Sequence, residues 1–336
     1  MTQLELTAQQ LFAEERLKNL AVRVGKGDKP LLTYFQSTTQ ELNESTLFDM
    51  ASVTKILSVT QLMLLAIDRG LISLDTPVSQ YFEQGGNLTV KHLLTHTMGI
   101  GHKNLCKDGT TYETVGEYIL SIPQDIPIGS DVLYSCPAFI LLGKILEQIF
   151  EKPLNILFTE FVADPLGMTR STFCPAERKN IVNANQSDDL LGIVNDYNCR
   201  YLGGIAGNAG VFSCLADLDR FCHMLLNHGA PLYSENTFAL SIQNHTPTVS
   251  AARGLGYLYV DERYEQTGKL FPTGSFGHCG HTGQLLFVDH RSGLYTIILT
   301  DATKCNVAKY GHDEYHLVKE MRNLLCNAIK ADLDLS

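Results

Sequence analysis

Segments with β-strand character lie near the two ends of this 336-residue chain, separated by a long middle region. Runs of β-forming residues cover 20–24 and 31–35 at one end and 284–289 and 294–300 at the other, with turn residues inside each pair. A further run covers 254–260. Each pair predicts a β-hairpin. One antiparallel sheet that combines both ends of the chain would bury all five runs.

Helical patterns mark both termini and most of the middle. Apolar residues recur at helical spacing over 4–20, and the stretch 310–333 predicts a long helix. The sequence therefore predicts an α/β (α+β) fold, an antiparallel sheet flanked by terminal helices with a large, mostly helical insertion. We expect a discontinuous sheet domain (1–47 and 250–336) and a mainly helical domain (48–249), with the candidate site in the cleft between them.

The charge of the chain narrows its range of partners. Lys and Arg total 26 and Asp and Glu total 36, which gives a formal net charge of −10. Nucleic acids and anionic membranes do not attract an acidic surface, so neither is expected as a partner. The longest apolar stretch, 56–67, contains polar residues and is too short to span a bilayer, so it predicts a buried helix. A small-molecule ester, amide or peptide-like substrate is the expected partner, and the oligomeric state stays open.

Cysteine usage and glycine spacing give no reason to expect a metal or a cofactor. The nine cysteines are scattered without a Cys-x-x-Cys pair, which favours reduced thiols over a disulfide framework or a zinc site. His96 has no metal-binding partner at the right spacing, and the glycines of 204–210 lack the nucleotide-binding pattern. The first residues show no secretory signal, so we expect a cytoplasmic protein, with a mature exported form as the alternative.

A serine and a lysine three residues apart begin the predicted helix at 56–67. Residues with this spacing lie on one helical face, so the Ser52 hydroxyl and the Lys55 amine can meet. A serine hydroxyl becomes a strong nucleophile when an adjacent base removes its proton. An apolar helix would desolvate Lys55 and keep its amine neutral, as a base requires. The pair Ser52-x-x-Lys55 therefore predicts nucleophilic catalysis.

Two later segments carry side chains suited to the same chemistry. Tyr134-Ser-Cys136 lies at a loop-to-helix junction, where a phenol can project into a cleft and share a proton with a lysine. Cys136 is a minor alternative nucleophile, because Ser52 has the more favourable helical position. His281-Thr282-Gly283 precedes the predicted strand that begins at Gln284, and an edge strand there would offer N–H groups to a substrate.

In this order the three segments resemble the motifs of the serine β-lactamase and penicillin-binding-protein superfamily, and in particular its class C branch. The resemblance covers most of the chain, because further segments are similar to landmarks of the superfamily. They are Phe48–Lys55, Leu71–Val78, Leu93–Gly99, Asp164–Met168 and Gly203–Ser213. The resemblance implies a β-lactamase/transpeptidase-like fold and a serine hydrolase that forms an acyl-enzyme.

The resemblance also implies roles for individual residues. Ser52 would be the acylated nucleophile, Lys55 its proton partner, and Tyr134 a second base that protonates the leaving group. The backbone N–H groups of Ser52 and Gln284 would form the oxyanion hole, and Cys136, His281, Thr282 and Gly283 would contact the substrate, the roles that the matching motif positions have in the superfamily.

Two positions depart from the pattern of the superfamily. Cys136 stands in place of an asparagine, and a thiol is a weak hydrogen-bond partner for a substrate amide. His281 stands in place of a lysine that helps to hold substrate carboxylates, and histidine is largely neutral at pH 7. Both departures favour small, neutral ester or amide substrates. A β-lactamase or a D-amino-acid peptidase (DD-carboxypeptidase) is the alternative, and a non-catalytic ligand-binding relative is an alternative of another class.

Overall fold

Strands from both ends of the chain meet in one antiparallel sheet in the computed structural model, which describes residues 1–311 and 314–335. The strands, in chain order, are β1 (Asn19–Lys26), β2 (Lys29–Ser37), β3 (Phe48–Asp49), β4 (Thr172–Phe173), β5 (Val211–Ser213), β6 (Leu258–Tyr259), β7 (Phe276–Cys279), β8 (Leu285–Asp289) and β9 (Leu294–Thr300). The large sheet has the order β2-β1-β9-β8-β7-β6, and β3, β5 and β4 form a separate small sheet.

Helices cover the terminal regions and most of the middle, as the sequence predicts. In chain order the α-helices are α1 (Gln3–Ala13), α2 (Thr60–Asp68), α3 (Val90–Leu94), α4 (Val115–Ser121), α5 (Cys136–Phe150), α6 (Leu154–Phe158), α7 (Asp164–Leu166), α8 (Tyr197–Tyr201), α9 (Leu215–Leu226), α10 (Glu235–Ser241), α11 (Ala302–Tyr310) and α12 (Glu314–Leu335). Helical turns over 51–59 lead directly into α2. Residues 312–313 of the predicted helix 310–333 lie outside the described residues.

The strand pairing confirms the predicted sheet that combines both ends of the chain. Val22 of β1 lies opposite Ile298 of β9, so a strand from the start of the chain is paired with one from near its end. β1 and β2 form the first predicted hairpin, and β8 and β9 form the second. The run 254–260 contributes only the short β6, because the chain before Leu258 lies mostly in turns. The exact two-domain boundaries stay a prediction.

Two hydrophobic clusters hold the layers together. The smaller cluster packs α1 and α12 against one face of the large sheet, with Leu4, Leu325 and Ile298 among its fully buried members. The larger cluster fills the helical region around the run 51–68 and α5. In the described part of the chain, 51–68 is the one helical run long and apolar enough to cross a bilayer. Because 83% of it is buried among other elements, it is the core helix that the sequence predicts.

Candidate active site

The segment before Ser52 is held in a tight conformation by a buried carboxylate. Ala51 has a φ of 44°, in the left-handed region that alanine rarely adopts. Asp49 stabilises this turn, because one of its oxygens accepts from Ala51 N at 2.8 Å and the other accepts from Asn195 N at 2.6 Å. Burial raises the pKa of Asp49 to about 6, although both N–H groups favour the charged form. The strained turn places Ser52 at the start of the core helical run.

Lys55 lies one helical turn after Ser52, and its side chain is fully buried. Its Nζ lies 3.0 Å from Ser52 Oγ and donates to the carbonyl oxygen of Asn208 at 2.9 Å. The third neighbour of Nζ is Cys136 Sγ, at 3.6 Å. The spacing of Ser52 and Lys55 thus places the amine next to the hydroxyl, as the sequence predicts. The Asn208 carbonyl is a contact that side-chain motifs do not reveal.

Tyr134 completes the group of atoms around Ser52. Its hydroxyl donates to Ser52 Oγ at 2.7 Å. The phenol ring packs on His96, with 4.8 Å between ring centroids, and His96 Nδ1 accepts from Ser135 N at 3.0 Å. Burial raises the pKa of Tyr134 to about 12, while the neighbouring Lys55 acts in the opposite direction. His96 therefore packs behind Tyr134, and its backbone contact is the role expected for a loop histidine.

The charge of Lys55 differs from the sequence-based expectation. Burial alone lowers the pKa of Lys55, as expected, but Cys136 and Tyr134 raise it more, so that the pKa ends above its ordinary value. The direction of this shift does not support the expectation of a neutral amine in the resting site, because acidic neighbours compensate for desolvation. Lys55 must lose a proton before it can act as a base.

A cleft of about 770 Å³ opens above Ser52. Of the predicted site residues, Ser52, Tyr134, Cys136 and His281 line it. The lining also includes residues that the sequence analysis did not assign to the site: Ala51, His102, Asn104, Asn195, Asp196, Tyr197, Asn198, Arg253, Leu258, Gln266, His278, Cys279, Gly280, Tyr315 and Arg322. The cleft is large enough for a small-molecule substrate.

The segment 281–283 is a hairpin turn, not the start of an edge strand. Gly283 N donates to the Gly280 carbonyl at 3.1 Å, and Gly280 N donates to the Gln284 carbonyl at 2.8 Å, so the turn joins β7 to β8. β8 is an interior strand, between β7 and β9. The prediction of an edge strand is wrong, because the glycine-rich stretch before His281 is itself a strand.

Thr282 and Gly283 belong to this turn and Gln284 follows it, and none of the three lines the cleft. Thr282 Oγ1 hydrogen-bonds to the Gln284 side chain, whose Nε2 donates to the Thr300 carbonyl at 3.0 Å. The Gly283 backbone has a φ of 107° and packs against Thr300. These residues shape the hairpin, and their predicted substrate contacts are not supported by their positions.

His281 does line the cleft, but its charge partner lies within the protein. Its side chain is half exposed, and Nε2 lies 2.6 Å from a carboxylate oxygen of Glu314. A histidine paired with a carboxylate cannot supply a free positive charge to a substrate. The structure thus agrees with the expectation that position 281 is a weak site for substrate carboxylates.

His278 and Arg253 are cleft residues that the sequence analysis missed. The His278 ring lies 6.2 Å from the ring of Tyr134, and its Nε2 is buried without a hydrogen-bond partner. Burial, with Lys55 and Arg253 nearby, holds the pKa of His278 well below its ordinary value, so the ring is neutral. The sequence carries the pattern His-x-Gly twice, at 278–280 and at 281–283, and the first copy is the signal that could have indicated His278.

Arg253 brings a buried positive charge to the cleft. Only 7% of the residue is exposed, and within the described part of the chain neither Nε nor Nη1 of its guanidinium has a hydrogen-bond partner. The guanidinium carbon lies 5.9 Å from the centre of the Tyr134 ring. An unpaired guanidinium in a cleft is a binding group for a carboxylate. Among the described residues, no group of three or more His, Cys, Asp or Glu side chains is arranged to hold a metal ion.

Comparison with known proteins gives a consistent picture. A sequence profile of the family described as beta-lactamase matches residues 4–318. A protein of Escherichia coli O157:H7 named "Putative D-alanyl-D-alanine carboxypeptidase" is 26% identical over 310 residues, which cover 78% of this chain and 70% of the relative.

Solved structures agree on the fold. A hydrolase with promiscuous acyltransferase activity, EstCE1, has a TM-score of 0.75 at 19% identity and covers 96% of this chain and 97% of its own. A beta-lactamase from Mycobacterium bovis has a TM-score of 0.67 at 21% identity, with 96% and 98% covered. The mixed fold predicted from the sequence is thereby confirmed.

Proposed function

Because the chain belongs to the beta-lactamase family, we propose that it is a serine hydrolase that acts through an acyl-enzyme on small ester or amide substrates. One observation carries the proposal. Ser52 Oγ lies 3.0 Å from Lys55 Nζ and 2.7 Å from the Tyr134 hydroxyl, at the edge of a cleft that can hold a substrate. A nucleophile with two proton-transfer groups within hydrogen-bond distance is the arrangement that acyl transfer requires.

The geometry suggests a role for each group. Ser52 Oγ attacks the carbonyl carbon of the substrate, and its proton passes to the amine form of Lys55. Tyr134 protonates the leaving group and regains a proton from Lys55. Water then attacks the acyl-enzyme, and the same groups return the proton to Ser52 as the acid product leaves.

The oxyanion hole is reassigned in this proposal. The Ser52 N–H and the N–H of His281 would bind the oxyanion, in place of the Gln284 N–H inferred from the sequence. His281 lines the cleft and Gln284 does not. The end of β7 also approaches the nucleophile segment closely, since a Cβ atom on Gly280 would lie 3.0 Å from the Met50 carbonyl oxygen.

The site supports the hydrolysis of esters or amides, and the segment 281–283 offers no strong binding group for a substrate carboxylate. Cys136 stands where the related motif has an asparagine, and Nε2 of His281 is paired with the Glu314 carboxylate. EstCE1, described as a hydrolase with acyltransferase activity, shows that this fold accommodates such chemistry. Small esters are therefore the first substrates to test.

A second candidate, a carboxypeptidase on peptides that end in a D-amino acid, is favoured by Arg253. Its guanidinium is buried beside Tyr134 and lacks partners on two nitrogens, so a terminal carboxylate would satisfy it. The Escherichia coli relative carries the name of such an activity. The kcat/KM for a D-amino-acid peptide relative to that for a small ester shows whether Arg253 or the segment 281–283 decides the substrate.

Covalent labelling tests the nucleophile directly. A fluorophosphonate probe is expected to modify Ser52, and Ser52→Ala is expected to abolish both labelling and ester hydrolysis. Ser58→Ala is the matched control, because Ser58 is a buried serine of the same helical run whose hydroxyl has no partner. A protein that binds ester analogues but leaves Ser52 unlabelled would be a non-catalytic relative, and the proposal would be wrong.

A substrate panel separates the candidates. Rates with p-nitrophenyl butyrate, a D-alanyl-D-alanine peptide and a chromogenic cephalosporin are compared on one enzyme preparation. Preference for the ester supports the first candidate, and preference for the peptide supports the second. Comparable turnover of ester and cephalosporin would contradict the view that positions 136 and 281 direct the site away from β-lactams.

A further inference from the structure

The thiol of Cys136 lies at the first position of α5, directly behind the nucleophile. The preceding Ser135 caps the helix, since its hydroxyl accepts from Ala138 N at 3.2 Å. The N-terminus of a 15-residue helix carries partial positive charge, which stabilises a thiolate. The Cys136 side chain lines the cleft, although only 2% of the residue is exposed. The position thus combines burial with a field that favours an anion.

Lys55 needs an anionic partner, and no carboxylate of the described residues lies within ion-pair distance of its Nζ, although the more distant Asp196 carboxylate raises its pKa. Its ammonium group is fully buried, with contacts to Ser52 Oγ, the Asn208 carbonyl and Cys136 Sγ. An unpaired buried ammonium costs several kcal/mol. Of these three contacts, only the thiol can ionise. The Tyr134 phenol also raises the pKa of Lys55, but burial raises the pKa of Tyr134 to about 12, so the thiol is the more acidic neighbour.

His102 lines the same cleft as Cys136 and favours the same anion. Cys136 raises the pKa of His102, while burial lowers it. Burial, and to a smaller extent the Asp196 carboxylate, raise the pKa of the Cys136 thiol, but Lys55 and His102 lower it by more, so that the pKa ends below its ordinary value. Elsewhere in the chain, burial raises the pKa of the Cys106 and Cys174 thiols.

We propose that Cys136 is the anionic partner of Lys55 and the third proton-carrying group of the active site, a thiolate in the resting enzyme that accepts the surplus proton of the Lys55 ammonium. The proposal deepens the proposed function and rests on it for its catalytic part. The ion pair itself is a property of the resting protein, and it can be measured without a substrate.

The proton balance closes over one turnover. A proton moves from Nζ to Sγ, which leaves an amine on Lys55 and a thiol on Cys136. The amine takes the Ser52 proton as Oγ bonds to the carbonyl carbon, and that proton reaches the leaving group through Tyr134. In deacylation the amine takes a proton from water and returns it to Ser52 Oγ as the bond to the acyl group breaks. Finally Sγ gives its proton back to Nζ.

The resting ion pair is tested by the ultraviolet absorbance of the thiolate, measured as the difference between wild type and Cys136→Ser across pH. We expect a thiolate that forms at least one pH unit below the ordinary cysteine range, and Lys55→Met should move its midpoint upward by more than one unit. The difference between wild type and Cys174→Ser is the control and should show no early thiolate. A Cys136 thiol that titrates in the ordinary range would overturn the proposal.

The catalytic part is tested by the pH profile of kcat/KM for an ester. Cys136 and Lys55 together lose their first proton at a lower pH than Lys55 would alone, because either group can release it. Cys136→Asn should therefore move the acid limb of the kcat/KM profile to higher pH. A uniform loss at all pH values would indicate a structural role and contradict this part. If neither variant nor wild type hydrolyses any ester or peptide, the proposed function fails, while the absorbance titration still decides the ion pair.

Discussion

At the scale of single residues, the site is a group of largely buried polar side chains whose charges offset the cost of one another's burial. Lys55 and Cys136 are buried and Tyr134 is half-buried, and the pKa of each depends on the charges of the others. Asp49 stabilises the nucleophile turn in the same buried environment. Substitution of one such group is therefore expected to change the protonation of its neighbours as well as the contact itself.

Arg253→Gln tests the carboxylate site. We expect kcat/KM for a D-alanyl-D-alanine peptide to fall roughly tenfold to hundredfold, because a hydrogen bond to a charged group contributes about 1.5–3 kcal/mol. Hydrolysis of p-nitrophenyl butyrate, which lacks a carboxylate, should change by less than about threefold. Arg178→Gln, at a second cavity, is the control. Equal losses with both substrates would indicate that Arg253 supports Tyr134 instead of binding substrate.

Asp49 is expected to make stability depend on pH. Its pKa is raised by burial from 3.8 to about 6 in the folded protein, so the folded state binds more protons than the unfolded state between these values. Its contribution to the free energy of unfolding therefore decreases as pH rises from about 4 to about 6, by up to about 3 kcal/mol. Denaturant unfolding of wild type and Asp49→Asn across this range measures it. The same slope in both proteins would contradict the assignment.

At the scale of elements, the site depends on close approaches that only glycine permits. The loop that carries Asn208 passes against α5 at Gly207, where a Cβ atom would lie 1.9 Å from the Phe139 carbonyl oxygen. This contact fixes the position of the Asn208 carbonyl, which accepts from Lys55. The glycines of 204–210 thus shape the base of the site, in line with the sequence-based view that they let the backbone pass close to it.

Gly207→Ala is expected to move this loop away from α5 and weaken the Lys55–Asn208 hydrogen bond. Since the clash is with backbone, we expect a loss of more than about 2 kcal/mol in the free energy of unfolding and at least tenfold in kcat/KM. Gly203→Ala is the comparison, because a Cβ atom there meets nothing within 4 Å and only its φ of 96° opposes alanine. Similar losses for both variants would show that the contact with Phe139 is unimportant.

Much of the site could be predicted from the local spacing of residues in the sequence. The arrangement of the segment 278–283 could not, because it depends on strand pairing. Ser52 and Lys55 share one helical turn, so their approach could be predicted without the rest of the fold. Two His-x-Gly triplets occupy 278–283, and the sequence does not show which one ends a strand. The pairing of Cys279 with Leu285 decides it, and this is a non-local property. Arg253 and the Asn208 carbonyl escaped prediction because they belong to loops without a recognisable pattern.

At the scale of the whole molecule, stability and activity rest on different clusters. The cluster under α1 and α12 contains Leu4, which is fully buried, and lies apart from the larger cluster that includes Val53 and Ile56 beside the nucleophile. Asp332 of α12 accepts from the first backbone N–H groups of α1, which ties the two helices together. α1 therefore supports the sheet, while α12 also reaches the cleft through Glu314, Tyr315 and Arg322 in its first half.

Leu4→Ala is expected to lower the free energy of unfolding by about 2–5 kcal/mol, because it leaves a cavity in a fully buried position. The kcat/KM of the folded protein should stay within about twofold of wild type, since distant sites contribute independently. Chemical denaturation and ester hydrolysis measure the two effects. Leu6→Ala, at an exposed position of α1, is the control. A matching loss of kcat/KM would show that the two clusters are coupled.

The placement of β1 between β2 and β9 has a consequence for synthesis of the protein. As the chain leaves the ribosome, residues 19–37 can form only a two-stranded ribbon, which is marginally stable in water. Their partner, β9, emerges after more than two hundred further residues, so the apolar face of the ribbon stays uncovered during most of translation. Completion of the large sheet therefore waits for β9, which follows the β7–β8 hairpin beside Ser52 in the chain, so the sheet and the cleft take shape at the same late stage of synthesis.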